Sequence, residues 1–160
     1  MSKISVIIAT YNRFKYLLNA LQSVNNQTYK NIEVIVVNDG STQKEYYNYD
    51  FGNIKIIHLK KNSKQIFGFA CAGYVRALGI KQSTGKYIAF LDDDDIWFPK
   101  KLELQINYMK ETGCCMSCTD GLIGKGIYNS NKIYKKYNSE HFYKILQNIY
   151  KQRGSNLLDN

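Results

Sequence analysis

One proline, Pro99, stands among 160 residues that include 14 tyrosines and are 44% hydrophobic. That balance excludes a disordered tail and fits one domain with a single core. No apolar run approaches the ~20 residues that a membrane-spanning helix needs. Any work at a membrane would be peripheral, from its surface or through a partner. The run at residues 4–9 is too short for the core of a secretion signal and ends in Thr10-Tyr11-Asn12-Arg13. Only two histidines occur, His58 and His141, far apart. The Cys115-x-x-Cys118 spacing therefore lacks the second pair or histidines that would complete a zinc set. With Cys71 and Cys114 these cysteines read as reduced, half-buried thiols, which suits a cytoplasmic location. A Gly-x-Ser-x-Gly elbow is absent, and no Gly-x-Gly-x-x-Gly follows the first strand. These absences argue against a hydrolase triad and a Rossmann dinucleotide site.

Arginine-rich helices and long basic blocks are missing too. The formal charge of +9 is spread over short pairs such as Lys60-Lys61, Lys100-Lys101 and Lys135-Lys136. It implies a general attraction to anions, with no recognisable nucleic-acid motif.

What is present is a repeating alternation. Residues 4–8, 32–37, 54–59 and 87–91 read as β-branched or apolar strands, and residues 114–118 as a fifth. Between them, Phe14, Leu17, Leu18, Leu21 and Val24 recur at helical spacing, with Asn12 placed to cap that helix. Further helices are expected from near Ala72, over 100–110 and over 139–150. The pattern predicts an α/β/α sandwich with a mainly parallel sheet. Residues 1–119 would form the core, with a separate partial region over 120–160. Such sheets bind ligands beyond the carboxyl ends of their strands. Three polar clusters fall there: Thr10-Tyr11-Asn12-Arg13, Asn38-Asp39-Gly40-Ser41 and Asp92-Asp93-Asp94-Asp95.

The four aspartates are the most specific feature. Adjacent carboxylates repel, and desolvating them is costly. A divalent Mg²⁺ or Mn²⁺ with phosphate oxygens is the usual neutralising partner of an all-oxygen site. The segment fails as a calcium hand, because its sixth position would be Trp97 where glycine is needed. Gly79 to Lys86 fails as a phosphate loop, because it leads into a strand.

In order and spacing, several blocks resemble the nucleotide-binding half of family 2 glycosyltransferases, which have the GT-A fold. They are Ser5-Val6-Ile7-Ile8-Ala9-Thr10-Tyr11-Asn12-Arg13 and Glu33-Val34-Ile35-Val36-Val37-Asn38-Asp39-Gly40-Ser41-Thr42. Then come Arg76-x-x-Gly79-Ile80, the run from Gly85-Lys86-Tyr87 through Asp95, and Trp97-x-Pro99-x-Lys101-Leu102-Glu103. The resemblance covers about the first 113 residues. It implies a UDP-sugar donor, bound by a core over 1–119, and a metal-dependent, inverting sugar transfer to a glycan, lipid-linked or protein acceptor, with 120–160 a partial acceptor-side region. It implies that Tyr11 lines a uracil pocket with Thr10, Asn12 and Arg13 nearby, and that Asp39 accepts from the base N3–H. Arg76 would meet the donor phosphates or sugar. Asp94 would be the main metal ligand, Asp92 a second one nearer the ribose, and Asp93 a helper to either.

Two departures bear on function. Asn38 stands where the family has the first of two paired acids. Downstream, the candidates for a catalytic base are Asp120, Glu140 and Asp159, and none sits in a matching motif; Asp120, after the fifth strand, could also bind donor sugar or metal. A fragment, a shortened homologue, or one domain of a larger or oligomeric enzyme would each account for this. The alternatives are a nucleotide-sugar-binding module without catalysis, and a nucleotidyltransferase. The latter needs a glycine-rich N-terminal loop that is missing.

Overall fold

The computed structural model describes residues 1–136. The chain divides into two compact units, Met1–Gly113 and Cys114–Asn160. In the first unit β1 (Ile4–Thr10), β2 (Ile32–Asn38), β3 (Lys55–His58) and β4 (Tyr87–Phe90) form one sheet in the order β3-β2-β1-β4. Every pairing is parallel, with Thr10 opposite Asn38 and Ile7 opposite Phe90. The helices are α1 (Phe14–Asn25), α2 (Glu45–Asn48), α3 (Ser63–Phe67), α4 (Ala72–Lys81) and α5 (Lys101–Thr112). The chain steps from β1 outward to β2 and β3, then returns to the far side of β1 for β4. This reversal opens a crevice at the carboxyl ends of β1 and β4.

Alternating side chains cover both sheet faces, as the nearly continuous apolar strands predict. Ile4, Val6 and Ile8 pack with Leu17, Leu21 and Val24 of α1 and with Leu102 and Ile106 of α5. On the other face Ile35 and Val37 pack with Val75 of α4. Gly79 allows that close approach: a Cβ there would stand 2.6 Å from Ile7 Cγ2 and 3.2 Å from Val37 Cγ2. The mixed α/β architecture with a mainly parallel sheet is the one the sequence predicts.

Three local expectations need correction. Asn12 does not cap α1. It adopts φ 52°, a left-handed conformation that asparagine tolerates. Its carboxamide oxygen accepts from the N–H groups of Thr42 at 2.8 Å and Gln43 at 3.3 Å. The first turn of α1 is served by Gln43, whose Oε1 accepts from the Phe14 N–H at 3.1 Å. Second, residues 114–118 form no strand, and Met116 is 87% exposed; the run contains no β-branched residue to favour an extended state. Third, Cys115 and Cys118 are exposed rather than half-buried. In the second unit β5 (Leu122–Ile123) pairs antiparallel with β6 (Lys135–Lys136). The helix expected over 139–150, with Glu140, His141 and Asp159, lies outside the described residues. Among the described residues no helix is long and apolar enough to cross a membrane.

Glu33 fastens the opposite end of the sheet. Its carboxylate accepts from the Ser5 hydroxyl at 2.5 Å, from the N–H groups of Thr84 and Gly85 at 2.6 and 3.0 Å, and from Lys3 at 2.9 Å. Burial alone would raise its pKa, but these bonds outweigh burial and hold it at about 2. A carboxyl depressed below its unfolded value contributes stability at neutral pH that is lost as pH falls from the unfolded value toward the folded one. Allowing for solvent screening, the loss is on the order of 2 kcal/mol. Urea unfolding at about pH 6 and about pH 2.5 should show Glu33→Gln losing less stability on acidification than the parent. Equal losses would contradict this role.

Candidate functional site

The carboxyl ends of β1, β2 and β4 enclose a cavity of about 490 Å³, within the usual range for small-molecule sites. Thr10, Tyr11 and Arg13 reach it from the end of β1, Asp39 from the end of β2, and Asp92, Asp93 and Asp94 from the end of β4. Arg76 enters from α4. The three polar clusters that the sequence places at strand ends therefore meet at one rim.

The acidic run alternates in direction. Asp93 points inward and is only 5% exposed, whereas Asp92 and Asp94 stand in the open. Burial pushes the Asp93 carboxyl up, against the opposing pull of the Thr10 hydroxyl and Arg13. Thr10 Oγ1 lies 2.6 Å from the buried Tyr46 hydroxyl, which also accepts from the Arg13 N–H at 3.0 Å. Tyr46 and Thr10 thus meet at the end of β1, beside Asp93 at the end of β4. Partial desolvation, then repulsion from Asp94, Asp92 and Asp93, raises the Asp95 carboxyl as well.

Two arginines offset this charge. Arg13 Nη1 lies 2.7 Å from Asp94 and 3.3 Å from Asp93, and Arg76 pairs with Asp92. Asp93 and Asp94 raise the Arg13 pKa further, so its charge is permanent. Among the described residues no three His, Cys, Asp or Glu side chains converge as a complete cation cage. Asp92 and Asp94 nevertheless present hard carboxylate oxygens at the cavity. Such oxygens suit Mg²⁺ or Mn²⁺, which usually take one or two carboxylates and complete their shell with phosphate and water. The donor set fits that partial role.

Asp39 is mostly buried. Its Oδ1 accepts from the Ser63 N–H at 2.7 Å, and its Oδ2 from the Ser63 hydroxyl at 2.7 Å and Asn62 Nδ2 at 3.0 Å. Asn62 and Ser63 also line the cavity, and the sequence reading missed them. A signal was available: Asn62 and Gln65 form a capping box at the start of α3. Two expected contacts do not line the cavity: Asn12, stitched to the loop after β2, and Asn38. The fully buried Asn38 amide accepts from the Ser41 N–H at 2.9 Å and lies 3.0 Å from His58 Nδ1. Burial lowers the His58 pKa, which favours a neutral ring with Nδ1 as the acceptor. Asn38 is a turn-former here. Asp120 lies exposed in the second unit, after no strand of the main sheet.

The chain is similar to known proteins. The chain is 46% identical over 120 residues to an uncharacterized glycosyltransferase of Rickettsia bellii, covering 74% of this chain and 16% of that protein. It is 34% identical to a putative teichuronic acid biosynthesis glycosyltransferase, TuaG, of Bacillus subtilis, over 72% of this chain and 45% of that protein. Among solved structures, S. aureus TarS 1-349 in complex with UDP-GlcNAc superimposes with a TM-score of 0.59 at 28% identity. That likeness covers 80% of this chain and 37% of TarS 1-349. The chain thus spans less than half the length of these relatives. A family model described as glycosyl transferase family 2 matches residues 5–158. The chain belongs to glycosyl transferase family 2.

Proposed function

We propose that this chain carries the donor site of a glycosyltransferase that moves a sugar from a UDP-sugar to an acceptor hydroxyl with inversion, aided by Mg²⁺ or Mn²⁺. The observation that carries the reading is the convergence of Asp39, Arg76 and Asp92 to Asp94 on one cavity at the sheet's carboxyl rim. TarS, at 28% identity, is known in complex with UDP and with UDP-GlcNAc, which supports a uridine nucleotide here. In this reading the base sits by Tyr11 and Asp39, and the diphosphate lies between Arg76, Arg13 and the outward carboxylates of Asp92 and Asp94. A divalent ion held by Asp94, with Asp92 beside it, would stabilise charge on the leaving diphosphate. Arg13 and Arg76 supply fixed positive charge from the same rim, where it acts on the developing negative charge. The acceptor hydroxyl attacks the anomeric carbon on the face opposite the nucleotide and gives its proton to a carboxylate.

A second reading, a donor-binding module without turnover of its own, draws on the 16% to 45% of the two bacterial relatives' lengths that the chain matches. A mass-spectrometric transfer assay separates it from the first. For either, thermal melts with a nucleotide panel and Mn²⁺ test the site, because a ligand that binds only the folded state raises its stability. UDP and UDP-sugars should raise the midpoint by several degrees and ADP should not. Equal shifts with ADP, or none with UDP, would contradict the reading.

A further inference from the structure

Asp39 is held in an unusually complete way for a side chain that lines a binding cavity. A carboxylate offers about four lone-pair sites. Three are filled from the start of α3: Ser63 N–H on Oδ1, and Ser63 Oγ and Asn62 Nδ2 on Oδ2. Oδ2 is therefore saturated and Oδ1 keeps one site. The arrangement is rigid. Ser63 is 1% exposed, and its hydroxyl oxygen accepts from the Cys71 N–H at 3.1 Å, which directs its proton to Asp39. The Asn62 amide is fixed twice over, donating to the Asp39 carbonyl at 2.8 Å as well as to the carboxylate.

The count has a consequence for recognition. A carboxylate with both oxygens open pairs side by side with the N1–H and N2–H of guanine. One with a single open site can take only one N–H, and uracil offers only one, at N3. Cytosine presents an acceptor at N3 and is repelled. We propose that Ser63, with Asn62, is a positioning residue that sets base selectivity by closing Oδ2 of Asp39 and leaving one acceptor for an imide N–H. This inference rests on the reading of the cavity as a uridine nucleotide site, and it adds the residues that exclude guanine.

The test compares UDP and GDP binding by calorimetry on the full chain, with Mn²⁺ present. The wild-type chain should favour UDP. Ser63→Ala opens Oδ2 to a second donor, so the ratio of GDP to UDP dissociation constants should fall about tenfold, the worth of one hydrogen bond. Ser63→Thr keeps the hydroxyl and should restore the ratio. A merely structural serine would weaken both nucleotides and leave the ratio alone, and that result in a folded Ser63→Ala chain would overturn the proposal. If Ser63→Ala does not fold, Asn62→Ala opens the same oxygen and must lower the ratio too; an unchanged ratio there would equally overturn it. A wild-type chain that binds no UDP, or binds UDP and GDP alike, removes the uridine reading and this inference with it. UDP selectivity that survives in both alanine variants removes the inference alone.

Discussion

Asp94→Ala will abolish the part of UDP affinity that depends on Mn²⁺ and leave the fold unchanged. The side chain is 46% exposed, and its recorded partner is Arg13 at 2.7 Å. An exposed pair of this kind contributes at most about 1 kcal/mol to folding. In the proposed function, by contrast, its outward carboxylate holds an ion against the diphosphate. Losing that ion should cost about 3 kcal/mol of charge stabilisation, a fall of about 100-fold in the affinity gained on adding Mn²⁺. The substitution also releases Arg13 toward the cavity, so weak binding without metal should persist. Titrations with Mn²⁺ and with a chelator separate the two parts. A full Mn²⁺-dependent gain in the variant would contradict the assignment of Asp94.

Asp39→Ala should act on folding and binding together. The substitution deprives the Ser63 N–H, the Ser63 hydroxyl and the Asn62 amide of an acceptor in a buried setting. Stranded buried donors cost about 1–3 kcal/mol each, less where water replaces the lost partner. A loss of about 3 kcal/mol in urea unfolding is expected. UDP should weaken about 10- to 100-fold, the worth of a charge-assisted bond, with a far smaller effect on Mn²⁺ binding alone. Stability within about 0.5 kcal/mol of the parent would contradict the anchoring role, since that is the ordinary range for an inert surface site. Equal losses for UDP and metal would contradict the base contact.

The sheet was legible because its strands announce themselves. Residues 32–37 are β-branched and nearly continuous, and Leu17, Leu21 and Val24 repeat at the helical period. The crevice was legible through topology, since polar clusters at successive strand ends must meet in a parallel sheet. What escaped notice lacks periodicity. At four and five residues, α2 and α3 are too short to show a helical repeat, yet they bring Tyr46 and Ser63 to the site. Direction within the acidic run was hidden too. Four identical residues give no hint that Asp93 turns inward while Asp92 and Asp94 meet arginines distant in sequence. That Asn38 turns to His58 on the neighbouring strand, off the cavity lining, was hidden as well. The cysteine run looked like a strand on apolar content alone, and it lacked the branched residues that make such a strand pair.

The most direct test is the anomalous scattering of Mn²⁺ in crystals of this chain grown with UDP. A manganese peak within bonding distance of Asp94 and of both phosphates, with the uracil ring against Asp39, is the predicted result. Ordered UDP with no manganese at the aspartates, or nucleotide bound anywhere but this rim, would contradict the account.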